Sequence, residues 1–112
     1  MSRRSRSGII AKRAPVFAAL GDETRLRLVL RLCEGGPASI ANLTKGTPIT
    51  RQAITKHLRV MQDAGLVRNV RHGRESHWQL DLRKLEDARR DLALISTQWD
   101  NALNRLRHFV EK

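Results

Sequence analysis

The stretch Thr50–Val67 (TRQAITKHLRVMQDAGLV) constrains the fold most, because it has the start signal, periodicity and stop signal of one helix. Thr50 is a good N-cap, since its hydroxyl can accept a hydrogen bond from a free N–H of the first turn. Gly65 suits the left-handed conformation that commonly follows a helix end. The pattern therefore predicts a helix from Thr50 to about Ala64.

The two faces of this predicted helix differ in chemistry. At about 100° per residue, Ile54, Leu58 and Met61 fall on one side, and His57 lies on the flank nearer to them. This position favours a packing or hydrogen-bonding role for His57 over base reading. The opposite side can contact phosphates and base edges, or it is simply the solvated face of an amphipathic helix. That polar side consists of Gln52, Thr55, Lys56 and Arg59.

The charge balance of the whole chain favours the first alternative. Lys and Arg outnumber Asp and Glu by 22 to 11, which gives a net charge of +11 and indicates a polyanionic partner, nucleic acid or an anionic membrane surface. No apolar run approaches the ~18–20 residues that span a bilayer, and no signal peptide is visible. We therefore expect a cytoplasmic protein that does not enter a membrane. Aromatic residues make up only 4%, which disfavours RNA binding by base stacking.

The first third of the chain predicts an arm and two helices. Met1–Gly8 is basic and rich in Ser and Gly, which predicts a flexible arm, either a plain tail or a source of nonspecific phosphate affinity. Ile9–Leu20 is predicted as a short helix that Pro15 interrupts or restarts. Asp22 is expected to cap a second helix, Glu23 to about Glu34. The predicted buried stripe of this second helix consists of Leu26, Val29, Leu30 and Cys33. Because Cys33 is the single cysteine and lies on this stripe, we expect a buried thiol rather than a redox sensor.

A helix-turn-helix is predicted over residues 38–65. Ser39 is a plausible cap for a short helix within Ala38–Gly46, and Thr47–Ile49 forms a tight connection into Thr50. The second helix of this pair is the basic one. A helix, a short turn and a helix with a basic outer face are typical of DNA-binding proteins.

Residues 66–80 predict a β-hairpin that follows this helix directly. Residues 75–80 alternate in polarity, and Gly73 can adopt the dihedral angles that a hairpin turn requires. Arg71, His72 and Arg74 lie at the predicted tip. They are either solvated charges or, as we prefer beside a basic helix, contacts to phosphates or the minor groove.

The last predicted helix, residues 82–110, carries an apolar seam with a regular 3–4 spacing. A helix of roughly 28 residues is about 42 Å long, which exceeds the diameter of a domain of this size. The seam either packs entirely on its own domain or pairs with a second copy of the chain. We favour the second copy, because a helix pair buries the seam and fixes the distance between the two DNA-binding helices of a dimer. The seam consists of Leu85, Ala88, Leu92, Ile95, Trp99, Ala102, Leu106 and Phe109.

Three segments resemble the ArsR/SmtB family of bacterial winged-helix repressors: Phe17–Leu32 (FAALGDETRLRLVLRL), Ile49–Val67 (ITRQAITKHLRVMQDAGLV) and His72–Leu80 (HGRESHWQL). The resemblance implies a homodimer that binds an inverted repeat in double-stranded promoter DNA and represses transcription. Recognition-helix contacts of the family match Arg51, Gln52, Thr55 and Lys56. The full predicted DNA-binding set is Thr50, Arg51, Gln52, Thr55, Lys56, Arg59, Arg71, His72 and Arg74.

The chain departs from the metal-sensing members of the family. The stretch Ser39–Leu43 (SIANL) has no cysteine where those members carry a Cys-x-Cys pair. The terminal helix lacks a histidine and carboxylate one turn apart, which a helical zinc site would need. Ser96–Leu106 (SxxWDxALxRL) looks like the subgroup without a metal site. The prediction includes no metal and no cofactor, and the sequence names no small-molecule effector.

Taken together, the sequence predicts a mainly α fold with a small β-hairpin, a winged helix-turn-helix with a long C-terminal dimerisation helix. Residues 9–112 are predicted to form the single domain. No paired carboxylates, no nucleophile with its base and no phosphate-binding glycine loop are apparent, so we do not expect an enzyme. The alternative function is a protein-interaction module whose C-terminal helix dimerises or binds a partner, with only weak DNA contact.

Overall fold

The structure, a computed structural model, describes the backbone of residues 3–111 and the side chains of residues 8–111. Five helices and one two-stranded antiparallel sheet follow one another in the predicted order. The predicted mainly helical winged helix-turn-helix fold with a long last helix is confirmed. The elements are α1 (Arg3–Leu20), α2 (Glu23–Gly35), α3 (Ile40–Thr44), α4 (Arg51–Asp63), β1 (Val67–His72), β2 (Glu75–Leu80) and α5 (Leu82–Glu111).

Helix α1 is longer than predicted and continues through Pro15. A proline inside a helix costs about 3 kcal/mol, because it removes one hydrogen bond and crowds the preceding turn. The turn that follows is held by the core, since Val16 and Ala19 are fully buried. The helix begins at Arg3, so it overlaps the arm predicted for residues 1–8. Met1 and Ser2 lie outside the described residues, and the division into arm and domain stays a prediction.

Helix α2 begins as predicted but buries a different face. The Asp22 side chain accepts a hydrogen bond from the Arg25 backbone N–H at 3.0 Å, which confirms the cap. The predicted stripe is wrong apart from Val29: Leu26 and Leu30 are 46% and 58% exposed, and the Cys33 thiol is exposed rather than buried. Leucines occur at every second position of this helix, so their spacing does not identify the inner face. The buried residues are Leu28, Val29 and Leu32.

The helix-turn-helix follows the sequence prediction closely. Ser39 caps α3 through a hydrogen bond from the Asn42 backbone N–H, and Thr50 caps α4 through one from the Ala53 backbone N–H at 3.1 Å. Gly65 has φ +82° just beyond α4, the left-handed conformation that favours glycine. The buried face of α4 is the predicted one, namely Ile54, Leu58 and Met61.

The β-hairpin is confirmed, and its second strand spans the predicted residues 75–80. His72 pairs with Glu75 at the tip, which leaves a two-residue loop, and Gly73 there has φ +62°. Positive φ at the first loop position is what a type II′ hairpin requires. At its other end the hairpin is fastened to the helices, because Ala38 and Trp78 exchange two backbone hydrogen bonds. Local sequence patterns gave no signal for this distant pairing.

Helix α5 contributes only its first turns to the core. Ala88 is buried and Leu85 packs against the core, whereas every residue from Leu92 to Glu111 is exposed in this single chain. The radius of gyration is 18.1 Å, against about 13 Å expected for a compact domain of this length. The second half of α5 therefore projects from the domain.

Candidate nucleic-acid interface

The outer face of α4 is polar, basic and open to solvent. Arg51, Gln52, Lys56 and Arg59 are exposed, and Thr55 is half-buried between them. The first turn of α4 contains no acidic residue. A helix N-terminus carries about half a positive charge, which attracts a phosphate group. The rigid apolar packing on the other side of α4 holds these groups on one accessible surface.

Hydrogen bonds within α4 limit what its two threonines can offer a ligand. The Thr50 hydroxyl oxygen accepts the capping bond from the Ala53 N–H. The Thr55 hydroxyl donates to the Arg51 carbonyl oxygen at 2.8 Å, so this hydroxyl retains lone pairs and the side chain retains its methyl group. Thr55 is therefore suited to accept a hydrogen bond or to contact a thymine methyl group, and Thr50 serves first as the cap.

The wing does not gather its three basic residues on one face. Arg71 pairs with Ser76 and His72 pairs with Glu75, and neighbouring strand residues point to opposite faces of a sheet. The face that carries His72 also carries His77, and the two imidazole centroids are 5.1 Å apart. Arg71 and Arg74 are exposed near the tip. The sequence pattern placed all three residues together at the tip, whereas strand pairing extends to His72 and Glu75 and leaves only Gly73 and Arg74 in the turn.

His57 faces the body of the domain, as its position on the helical wheel indicated. Its Nδ1 lies 3.3 Å from Nη1 of Arg25 and 3.8 Å from Oδ2 of Asp22. The hydrogen bond from the Arg25 backbone N–H is the main cause that lowers the pKa of Asp22, against the opposing effect of desolvation. Sequence patterns missed the role of Arg25, although an arginine one turn after a cap, beside apolar positions, was the available signal.

Two further arginines that sequence patterns left unassigned hold helices in place. Arg13 of α1 forms ion pairs with Asp87 at 3.3 Å and Asp91 at 2.9 Å, which fasten α1 to the first half of α5. Arg31 of α2 donates to the carbonyl oxygens of Leu43 and Asn42 at the end of α3. Both contacts join elements distant in sequence, so periodicity could not reveal them.

The predicted dimerisation residues divide into two groups. Leu85 packs against the core of its own chain and Ala88 is buried in it, so this end of the seam is covered within the single chain. The other six are exposed, with Trp99 at 67% and Phe109 at 79%. So many large apolar groups along one helix exceed the scattered hydrophobic exposure that is normal for a monomer. The exposed seam consists of Leu92, Ile95, Trp99, Ala102, Leu106 and Phe109.

Two other kinds of site are absent from the described part of the chain. Residues 8–111, whose side chains the structure describes, contain no group of three or more His, Cys, Asp or Glu side chains arranged to hold a metal ion. Over the same residues, no helix has the length and apolar character needed to cross a membrane.

Known proteins agree with this geometry in sequence and in structure. A helix-turn-helix domain family model matches residues 20–70, which include α2, α3 and α4. The arsenical resistance operon repressor of Bacillus subtilis is 29% identical over 77 residues, 69% of this chain and 73% of the relative. A solved ArsR-like transcriptional regulator from Rhodococcus is 37% identical with a TM-score of 0.76, covering 91% of this chain and 95% of that chain.

The fold also matches the solution structure of a homodimeric winged helix-turn-helix DNA-binding domain from Mycobacterium bovis, a possible ArsR-family regulator. That match has a TM-score of 0.65 at 23% identity and covers 89% of this chain and 88% of that chain. Sequence identity and coverage to the Rhodococcus protein, together with the shared winged helix-turn-helix, establish the relationship. This chain belongs to the ArsR family of winged helix-turn-helix DNA-binding transcriptional regulators.

Proposed function

We propose that the protein is a cytoplasmic, homodimeric transcriptional repressor that binds an inverted-repeat operator through α4 and the wing. The observation that carries this proposal is the exposed, acid-free row of Arg51, Gln52, Lys56 and Arg59 on a helix whose opposite face is fully buried. The repressing direction is supported by the arsenical resistance operon repressor among its relatives. The homodimer is supported by the dimeric Mycobacterium bovis domain of the same fold.

The residues of α4 divide into base readers and phosphate contacts. Gln52 and Arg51 are the best base readers, because an amide pairs bidentately with adenine and a guanidinium with guanine. Thr55 adds a lone pair or a methyl contact. The remaining predicted contacts, which hold the DNA backbone, are Thr50, Lys56, Arg59, Arg71, His72 and Arg74.

Dimerisation through the exposed seam of α5 completes the reading surface. Covering Leu92, Ile95, Trp99, Ala102, Leu106 and Phe109 with the same residues of a second copy satisfies a two-fold symmetric interface. Two α4 helices then enter successive major grooves about 34 Å apart on one side of the duplex. An inverted repeat with that spacing is the DNA target that this symmetry demands.

Paired substitutions test the division of labour in α4 and the wing. A duplex selected by the wild-type protein from a randomised pool serves as the specific site, and a scrambled duplex of equal length as the nonspecific one. Gln52→Ala should reduce the ratio of specific to nonspecific affinity about tenfold or more, since a bidentate base contact is worth ~1–3 kcal/mol. Arg74→Ala should weaken both duplexes alike. Equal loss of specificity in the two variants contradicts the assignment.

Salt provides an independent measurement on the same duplexes. If three or four phosphates are neutralised per subunit, the logarithm of the association constant should fall against the logarithm of salt concentration with a slope of roughly −5 to −7. A slope near −1 rules out binding by two α4 helices and two wings.

A second candidate function is favoured by the apolar seam alone. The seam of α5 is equally available to a different partner protein, in which case the chain is an interaction module with weak DNA contact. Sedimentation of the purified chain separates the two functions, because the repressor is a dimer without any partner. A monomer at DNA-binding concentrations supports the interaction module.

A further inference from the structure

The Arg25 side chain connects three separate parts of the domain. Its Nε donates to the carbonyl oxygen of Ala19 at the end of α1, and its own backbone N–H is held by the Asp22 cap. Its Nη1 lies 3.3 Å from Nδ1 of His57 on α4. The guanidinium is half-buried between the α1–α2 connection and the recognition helix. This contact requires His57 with its proton on Nε2, so that Nδ1 is the acceptor.

The rest of the contact between α2 and α4 is apolar. Leu28, Val29 and Leu32 of α2 share one buried cluster with Ile54, Leu58 and Met61 of α4. Close packing of these apolar side chains limits how far α4 can turn about its axis, but apolar attraction is non-directional and selects no single orientation within that limit. A hydrogen bond to a side chain of α4 does oppose rotation, because its strength depends on angle and distance. Among the described residues, the hydrogen bonds between α2 and α4 side chains consist of the Arg25–His57 contact.

We propose that Arg25 is a positioning residue for DNA recognition: through His57 it fixes the rotation of α4 about its own axis. His57 directly follows Lys56 and lies two residues from Thr55. Any roll of α4 that moves His57 therefore moves Thr55 and Lys56 by the same angle. About 15° of roll moves a side-chain tip on the outer face by roughly 1.5 Å, given a helix radius of about 5–6 Å with side chains. Displacement of that size breaks a bidentate base contact, whereas a flexible lysine or arginine still reaches a phosphate.

This positioning role rests on the proposed function, but a different measurement tests it. Loss of the Arg25 guanidinium should reduce discrimination between duplexes and leave the phosphate contacts intact. A residue that touches DNA itself would do the opposite, since its removal lowers affinity for every sequence and makes the salt slope shallower by about one for each phosphate that is no longer neutralised.

The test uses Arg25→Met, which keeps the length and packing of the side chain and removes its donors. Arg27→Met is the matched control, because Arg27 lies on the same helix, is exposed and pairs only within α2, with Glu23 at 2.6 Å. Binding to the selected and scrambled duplexes is measured by fluorescence anisotropy across a salt series. Arg25→Met should lower the specificity ratio about tenfold with an unchanged salt slope. Arg27→Met should leave the specificity ratio within about twofold of the wild-type value.

A double-mutant cycle identifies His57 as the intermediary. His57→Leu should lower the specificity ratio as much as Arg25→Met, and the double variant should be no worse than either single one. His57→Asn places a carbonyl oxygen near the position of Nδ1 and should restore most of the ratio. Additive losses, or equal binding by His57→Leu and His57→Asn, overturn the inference.

The remaining outcomes are also decisive. A shallower salt slope in Arg25→Met makes Arg25 a direct phosphate contact and overturns its positioning role. If Arg25→Met unfolds below the assay temperature, His57→Leu and His57→Asn decide the matter by themselves. Failure of the proposed function is recognised separately, because the wild-type protein would then select no duplex from the pool.

Discussion

Helices α4 and α5 are both amphipathic, yet a single chain leaves opposite kinds of face uncovered on them. The uncovered face of α4 is cationic and hydrogen-bonding, whereas the second half of α5 exposes leucines, an isoleucine, Trp99 and Phe109. A polar, cationic face is well hydrated in water, so its exposure allows an anionic partner to bind but does not require one. An apolar face loses about 25 cal/mol for every Å² left in water, so its exposure indicates that a partner is required.

The difference also predicts how the two contacts respond to solution conditions. Binding along α4 releases counterions and weakens steeply with salt. The proposed association along α5 would be driven by apolar burial, which ordinary salts do not screen and sulfate strengthens. High salt should therefore separate the protein from DNA while leaving two copies together.

The largest expected effect comes from breaking the seam of α5. Ile95→Asp with Trp99→Asp places two carboxylates from each chain, four in all, in the proposed dimer interface, a cost that apolar contact does not offset. The variant should sediment as a 12.8 kDa monomer. Its affinity for the selected duplex should fall about 100-fold or more, because the gain from joining two half-site contacts is lost.

Leu94 provides the matched control for the seam. It is 64% exposed on the same helix. By the helical repeat it lies about 100–160° from Leu92, Ile95 and Trp99. Leu94→Asp should keep both the dimer mass and the DNA affinity. A dimer that survives the double substitution refutes the assignment of the seam.

An intermediate effect is expected at the start of α4. Thr50→Ala removes the acceptor of the Ala53 N–H and should destabilise the domain by about 1 kcal/mol. The midpoint of thermal unfolding, measured without DNA, should fall by about 4–8 °C. Thr50→Ser keeps the oxygen and should melt near the wild type. No difference between the alanine and serine variants would show that this cap does not stabilise α4.

The smallest expected effect is a pH dependence of folding stability that originates at Asp22, the residue that caps α2. The pKa of Asp22 is lowered in the folded chain, chiefly by the Arg25 backbone N–H. Its ionised form therefore stabilises the fold above the ordinary pKa of an unfolded aspartate, and this stabilisation is lost as pH falls through the lower pKa of the folded state. Asp22→Asn keeps a capping oxygen without the charge. The gap in melting temperature between wild type and Asp22→Asn should shrink on acidification.

A second carboxylate tests the same direction of shift. Glu86 should behave like Asp22 in kind, because its hydrogen bond from Arg89 lowers the pKa of Glu86. A gap at Asp22 that widens on acidification contradicts the assigned direction of the shift.

Helices α2 and α4 explain why some elements were predictable and others were not. In α4 the large apolar residues apart from Val60 occupy one side, so Ile54, Leu58 and Met61 could be assigned to the core from their spacing. In α2 leucines lie on two opposite sides of the helix, and the inner side was chosen wrongly. The structure turns α2 so that Arg25 reaches Ala19 and His57, an arrangement that depends on groups six and 32 residues away.

The sequence by itself determined the elements whose causes are local: the caps at Asp22, Ser39 and Thr50, the end of α4 at Gly65 and the hairpin turn at Gly73. Each depends on one side chain or one dihedral angle within a few residues. Only the tertiary structure decided which side of α2 is buried, how Arg13 fastens α1 to α5, and where α5 leaves the core. Those outcomes depend on which groups distant in sequence come into contact. Apolar attraction alone stabilises many alternative helix packings by similar amounts, and directional polar contacts select one of them.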